Sequence, residues 1–557
     1  MKFQDMQYIR ISQEELEKGF EDLIRRQKEA KSGQEQFEIH REYYRFYGHI
    51  ETMFVLCSIR HSVDTTDEFY EKENDYCDEL APILEKYNTL YGETLYDSPY
   101  RAELEKKIGA VAFKNIELRR RAFDEKLIPL MQEENQLSTR YDKLIATAKI
   151  PFEGEIYNLS LMRKFTVSPD REVRKAAQKA ISDWFLSVTE EIDEIYDRMV
   201  KNRTEQARIL GFENYIPLGY LRMQRNSYGR EEVENFRRQV KESFVPFVGE
   251  IQEKRRQRLG LEHLYGYDNG VFFPEGNPEP KGTPEEILAG GQAMYHELSP
   301  ETAEFFDFMM ENELFDVLGR KTKEAGGYMT YLYDYQSPFI FANFNGTSSD
   351  IDVITHECGH AFQGYLTRTD EIREHADLTM ETAEIHSMSM EYFTYGWMKR
   401  FFGEDADRYL TMHLEDSIIF IPYGCMVDEF QHLVYAKPEM TPAQRKETWK
   451  KLEETYRPWL DYGDDPFFSN GGYWQRQGHI FDSPFYYIDY VLASVSAMQY
   501  KLWMDRDYRD AWEHYLKLCR FSAGDYYGGI LKEGGIRSPF QDGCIEAVTE
   551  GLRAIAR

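Results

Sequence analysis

The feature that most limits how this chain can fold is a run of helical periodicity, with acid and base interleaved, from about residue 12 to residue 259. Stretches such as 67–87 and 168–210 carry it, and Ser98-Pro99 and Ile150-Pro151 punctuate it. There is no fixed-period repeat, which argues against a solenoid. The pattern changes at 267–284, where Gly, Pro and Asn cluster. It changes again at 326–346, where β-favouring aromatics are split by Gln336-Ser337-Pro338. The second change predicts a small hairpin or sheet. Helical periodicity then returns to the C-terminus, including a helix announced by Thr441 at its N-cap and Pro442 at its first position. The expected fold class is mainly α with one small β element.

The 557 residues hold about three to four domains' worth of sequence unless one large fold absorbs them. A hydrophobic share of 42% and a charged share of 30% describe a globular protein, and 40 Tyr with 36 Phe could line an internal cleft as well as fill a core. Lys plus Arg number 68 against 98 Asp plus Glu, a net charge of -30 that opposes nucleic acid and anionic lipid as partners. The basic run at 253–258 is mixed with acid on a helical stretch and reads as a solvated face. Six scattered Cys (57, 77, 358, 425, 519, 544) form no CxxC pair, so they read as buried thiols in a reducing compartment. Neither a signal peptide nor a membrane span of ~20 apolar residues is visible, and a cytoplasmic location is expected.

Chemistry concentrates at His356-Glu357-Cys358-Gly359-His360. Ser349 is placed to cap a helix, with Asp352 three residues on and Asp350 favoured by the positive end of the dipole. On that helix Ile351, Ile354, Cys358, Ala361, Phe362 and Tyr365 form an apolar side, leaving His356 and His360 one turn apart on a neighbouring face. Two imidazoles so spaced can chelate one zinc, while Glu357 projects toward the water as general base. The metzincin extension is excluded, because Gln363 and Leu366 stand where it needs Gly and His. A third ligand must therefore come from farther on. A helix expected over 379–402, stopped by Gly403, offers Glu381, Glu384 and Glu391. Glu381 and Glu384 share a face, so one could bind metal while the other accepts a hydrogen bond from a ligand imidazole; His386 points away and reads as structural.

With these residues in view, the chain resembles the zinc oligopeptidases that include thimet oligopeptidase and bacterial oligoendopeptidase F. The family's lead-in to its HExGH helix is similar to Asp350-Ile-Asp-Val-Ile-Thr-His-Glu-Cys-Gly-His360, and its ligand segment to Glu384-Ile-His-Ser387. The resemblance also touches Ala325-Gly-Gly-Tyr328, the strand Pro338 to Asn343, and Gly478-His479 through Tyr490. It implies Zn2+, one per chain, on His356, His360 and Glu384. It also implies Glu357, His479, Tyr487 and Tyr490 as catalytic residues, with Tyr486 able to take the place of Tyr487. Tyr220, Tyr328 and Tyr423 are further candidates to face the cleft.

The implied fold is a large helical metallopeptidase of two lobes around a deep substrate channel, residues 1–195 forming an N-terminal lobe and 196–557 the catalytic domain. The implied function is zinc endopeptidase action on internal bonds of short oligopeptides, in general peptide turnover or on collagen-derived peptides. A peptide could add to the sheet along Phe339 to Asn343. The rival readings are a zinc exopeptidase and a non-catalytic helical peptide-binding protein.

Overall fold

Helices hold 71% of the chain, about twice the share usual in globular domains. The computed structural model describes residues 1–557 apart from Lys321, Ala325, Ser522 and Arg557, so Ala325 of the 325–328 segment lies outside the described residues. The elements that frame the site are α1 (Gly33–Val63), α2 (Glu68–Tyr96), β1 (Ile150–Phe152), β2 (Glu155–Tyr157), α3 (Leu159–Thr166), α4 (Arg171–Ile209), β3 (Phe315–Leu318), β4 (Tyr328–Leu332), β5 (Ser337–Phe344), α5 (Ser349–Thr367), α6 (Met380–Phe393), α7 (Ala406–Ala436) and α8 (Tyr487–Met504).

Short polar side chains set where the N-terminal helices begin. Ser32, Asp67 and Asp170 each accept a first-turn backbone N–H of α1, α2 and α4, satisfying donors that have no partner within the helix. Thr441 caps the helix Pro442–Tyr456 in a capping box with Gln444, as expected. Burial then sorts the helices into two cores. Leu16, Phe20, Tyr43, Leu80, Tyr91 and Phe113 belong to a cluster confined to the first 116 residues. A second, larger cluster takes in α4 through α8. Residue 195 lies inside α4, which runs unbroken for 39 residues. All six Cys are buried, and none is in a disulfide among the described residues.

Ile150-Pro151 does not merely break a helix; it opens a two-strand antiparallel hairpin, β1–β2. Its two-residue turn, Glu153 and Gly154, has φ of 48° and 85°, the positive values that hairpin turns of this length demand. Strands of three residues and a Glu in a left-handed position leave almost no sequence signal.

The 326–346 region forms the predicted sheet, with a third strand, β3, that its four residues did not announce. The order is β3-β5-β4, with β5 parallel to β3 and antiparallel to β4. This corrects the expectation that a peptide could pair with Phe339 to Asn343. That segment is in the central strand, where Ser337 to Phe341 pair with β4 and Ile340, Phe341 and Phe344 with β3. The outer side of β4 is without a strand partner among the described residues.

Two helix boundaries also differ from expectation. Ser349 is the first residue of α5 and caps nothing; Ser348 holds the N-cap position with no side-chain bond. The Asp350 carboxylate instead turns back to accept N–H bonds from Asn345 and Gly346, and Asp352 accepts the Tyr409 hydroxyl at 2.6 Å. The helix expected over 379–402 ends at Phe393. The Thr394 hydroxyl bonds back to the Glu391 carbonyl, and the chain continues as the short turns Tyr395–Trp397 and Lys399–Phe402 before Gly403 stops it at φ 59°.

Candidate active site

The metal motif is built where α5 crosses α6. The apolar side of α5 is buried as its spacing predicts, with Ile351, Cys358, Ala361 and Phe362 fully inside. Gly359 lets the helices meet, because a Cβ there would lie 2.6 Å from the His386 carbonyl oxygen and the Ser387 Cα. This close crossing brings Glu384 to the two imidazoles. Its Oε2 stands 3.3 Å from His356 Nε2 and 3.5 Å from His360 Nε2, and the three residues form the single group of metal-ligand spacing among the described residues. Ligand atoms at ~2.05 Å from a tetrahedral zinc lie about 3.3 Å from one another, so the donor set fits that ion.

The three carboxylates weighed as third ligand separate cleanly. Glu381 turns from the imidazoles to the Arg225 guanidinium, 3.5 Å away. Glu391 accepts from His356 Nδ1 at 2.6 Å and from His413 Nε2 at 2.8 Å. Burial would raise its pKa, but these bonds hold it at about 2. The bond to Glu391 places a proton on Nδ1 of His356 and leaves Nε2 as a lone-pair donor, the orientation that metal-binding imidazoles need. His413 was not legible as part of the site: it is 22 residues from Glu391, on α7, and only the fold brings it in. Tyr395 in turn bonds its Nδ1 at 2.7 Å.

Glu357 is 8% exposed. Burial raises its pKa; His356 and His360 partly offset that, while Glu384 and Glu391 add to it. A carboxylate so poised can take a proton and surrender it again. Glu384 is also buried, yet the neighbouring imidazoles, His360 foremost, hold its pKa well below the usual range.

Opposite this group, the segment before α8 supplies hydroxyls. Tyr486 donates to Glu384 Oε1 at 2.7 Å, and Ser387 to Oε2 at 2.9 Å. Tyr490 lies 3.4 Å from His479 Nε2. Tyr487 packs its ring against His479, Phe420 and Tyr423. Tyr423 donates to Gln477 Oε1 at 2.6 Å, and Gln477 Nε2 lies 2.9 Å from His479 Nδ1. That relay makes Nδ1 an acceptor and leaves the His479 proton on Nε2, beside Tyr490. Burial lowers the His479 pKa, which keeps the ring neutral. Of the other tyrosines, Tyr220 bonds His432 and Tyr328 stacks on Phe341. His386 is fully buried, its pKa driven to about 3 by burial, in keeping with a structural role.

Two cavities lie on either side of His356, His360 and Glu384 along both helices. One, of about 820 Å³, is lined by His479, Tyr487 and Tyr490 together with Asp352, Glu391 and Arg163 of α3. The other, of about 730 Å³, is lined by Met329 and Tyr331 of β4, Gln363 and Gly364 of α5, Ala383 of α6 and Tyr44 of α1. Both draw residues from the N-terminal helices and from the sheet or helices of the metal motif.

A half-buried HExxH pair with a buried carboxylate at ligand distance is a peptidase arrangement, and comparison with known proteins agrees. The model described as peptidase family M3 matches residues 164–547, and that of the peptidase M3 N-terminal domain matches residues 3–123. The chain belongs to peptidase family M3. Membership makes it a peptidase. It is 21% identical to an oligoendopeptidase F homolog of Borreliella burgdorferi, over 94% of this chain and 92% of that protein. It is 22% identical to the group B oligopeptidase PepB of Streptococcus agalactiae, over 66% of this chain and 61% of the streptococcal protein's length. Its fold superposes on a solved structure of PZ peptidase A with an inhibitor at a TM-score of 0.97, with 44% identity, 100% of this chain covered and 99% of that one. No helix among the described residues is long and apolar enough to cross a membrane.

Proposed function

We propose that the chain is a zinc endopeptidase that hydrolyses internal bonds of short oligopeptides, with His356, His360 and Glu384 holding the ion. One observation carries this reading above the others: Glu384 Oε2 stands at tetrahedral ligand spacing from both imidazoles, with Glu357 between them on the same turn. Bound there, zinc would polarise the scissile carbonyl and acidify the attacking water.

The residues of the chain do the rest. Glu357 removes the proton of the attacking water and returns it to the leaving amine. His479 Nε2–H and the Tyr490 hydroxyl donate to the carbonyl oxygen as charge builds on it, Tyr486 braces the ligand carboxylate, and Tyr487 packs the His479 ring in place. Removing one such donor costs about 2–4 kcal/mol of transition-state stabilisation. Tyr490→Phe is therefore expected to lower kcat by about 10²–10³-fold with KM near that of the wild type. A change confined to KM would remove Tyr490 from the chemistry.

The peptide backbone pairs along the outer side of β4, beside which Met329 and Tyr331 already line a cavity. Each backbone hydrogen bond is worth about 1 kcal/mol, so N-methylating the substrate amide that meets β4 should raise KM about fivefold. A scan in which no single N-methyl group raises KM would place the peptide elsewhere.

Fluorogenic peptides of increasing length, blocked at both ends, test the function directly. Cleavage of blocked peptides by the zinc-loaded enzyme is the expected result. Cleavage only with a free terminus would make it an exopeptidase, and none with zinc bound would make it a peptide-binding protein.

A further inference from the structure

Arg225 lies in the turn after the helix Tyr215–Arg222, and its side chain is 2% exposed. Its guanidinium reaches three separate parts of the site. One Nη donates to the Asp489 carboxylate and to the Tyr228 hydroxyl, the latter at 2.5 Å, and stands 3.5 Å from Glu381. The other donates to the Phe485 carbonyl at 2.7 Å. Glu381 is one turn before the ligand Glu384 on α6. Asp489 falls between Tyr486 and Tyr490 at the start of α8. Phe485 is the residue before Tyr486.

The Phe485 backbone is unusual. It is fully buried and has φ of 69°, a left-handed conformation that a bulky L-residue adopts only where its surroundings enforce it. The enforcing contacts are the Arg225 bond to its carbonyl and the Gln431 side-chain oxygen, which accepts its N–H at 3.0 Å. That turn aims the Tyr486 hydroxyl at Glu384.

As a stabilising device the cluster is poorly economical. Arg225 Nε, one oxygen of Glu381 and one of Asp489 are buried without a hydrogen bond. Buried ions left partly unsatisfied are no better for stability than apolar side chains of similar volume. Placement is what a rigid, planar fork provides and an apolar core does not.

We propose that Arg225 is a positioning residue: by tying Glu381, Asp489 and the Phe485 carbonyl to one guanidinium, it sets how the helix bearing Glu384 stands to Tyr486 and Tyr490. This rests on the peptidase reading above. Arg225→Lys keeps the charge and loses the fork. In that variant kcat is expected to fall about 10–100-fold, the range usual for groups that orient metal ligands, with zinc content and melting temperature held and KM within a few-fold.

The deciding measurement is a double-mutant cycle with Tyr486→Phe. If Arg225 acts by placing Tyr486, Arg225→Lys costs little further kcat once the hydroxyl is gone. An equal loss in both backgrounds, or no loss in either, overturns the proposal. Should Arg225→Lys not fold, the isosteric Asp489→Asn is carried through the same cycle with the same criteria. A wild-type chain that cuts no peptide sinks the peptidase reading itself, whereas an active wild type with an unchanged or non-coupled variant sinks only the role of Arg225.

Discussion

Glu357→Gln should lower kcat by about 10³-fold while the protein stays folded and keeps its zinc, as removal of a general acid–base commonly costs 10²–10⁴-fold. The amide has the size of the carboxylate, so the buried site keeps its packing. It cannot take the water's proton, and it cannot give one to the leaving amine. Because the side chain is not among the ligands, metal content by atomic emission should match the wild type, which separates lost chemistry from lost metal. Activity within tenfold of the wild type in metal-replete buffer would remove Glu357 from the mechanism.

Glu384→Ala should act by the opposite route. It removes the one carboxylate that meets both imidazoles, together with the acceptor for the Tyr486 and Ser387 hydroxyls. Two imidazoles alone make a weak zinc site, so the isolated variant should contain little metal and lose about 10³-fold or more of the activity, since the Lewis acid goes with the ion. A chelator should bring the wild-type enzyme to the same state, and added zinc should restore it. Zinc at a hundredfold its Kd should also stabilise the wild type by ~2.7 kcal/mol, seen as a raised melting temperature, and leave the variant unmoved. A fully metallated, active Glu384→Ala protein would mean that another group is the third ligand.

Local signals carried far in this sequence. The His356 and His360 spacing, the apolar side of α5 and the Thr441 cap are properties of neighbouring residues, and each forms as its pattern predicts. The choice among Glu381, Glu384 and Glu391 could not be made from spacing, because it depends on which way α6 is rotated against α5. The crossing at Gly359 sets that rotation. The family resemblance implied Glu384, and the contacts support that choice: Arg225 stands beside Glu381, and two histidines bond Glu391.

What the sequence hid was long-range. His413, Gln477 and Tyr423 join the site through contacts between distant elements, and no window of residues contains them. The centre of the sheet was misplaced for the same reason. Phe339 to Asn343 reads as a strand by itself, but its becoming the middle strand depends on β3, whose residues pair with β5 from about 25 positions upstream. Helix ends differed where a side chain bonded nearby backbone, as Asp350 does with the Asn345 and Gly346 N–H groups and Thr394 with the Glu391 carbonyl.

The helix crossing at Gly359 has a consequence for how such enzymes tolerate change. The two unspecified letters of the HExxH signature are not free in this chain: Cys358 is sealed against the core, and Gly359 abuts the backbone of α6. In a saturation library selected for activity, both positions should be nearly as intolerant as the histidines beside them. The cause would differ, steric exclusion in place of lost ligation, so a selection profile alone would overstate how many residues of the motif take part in the reaction.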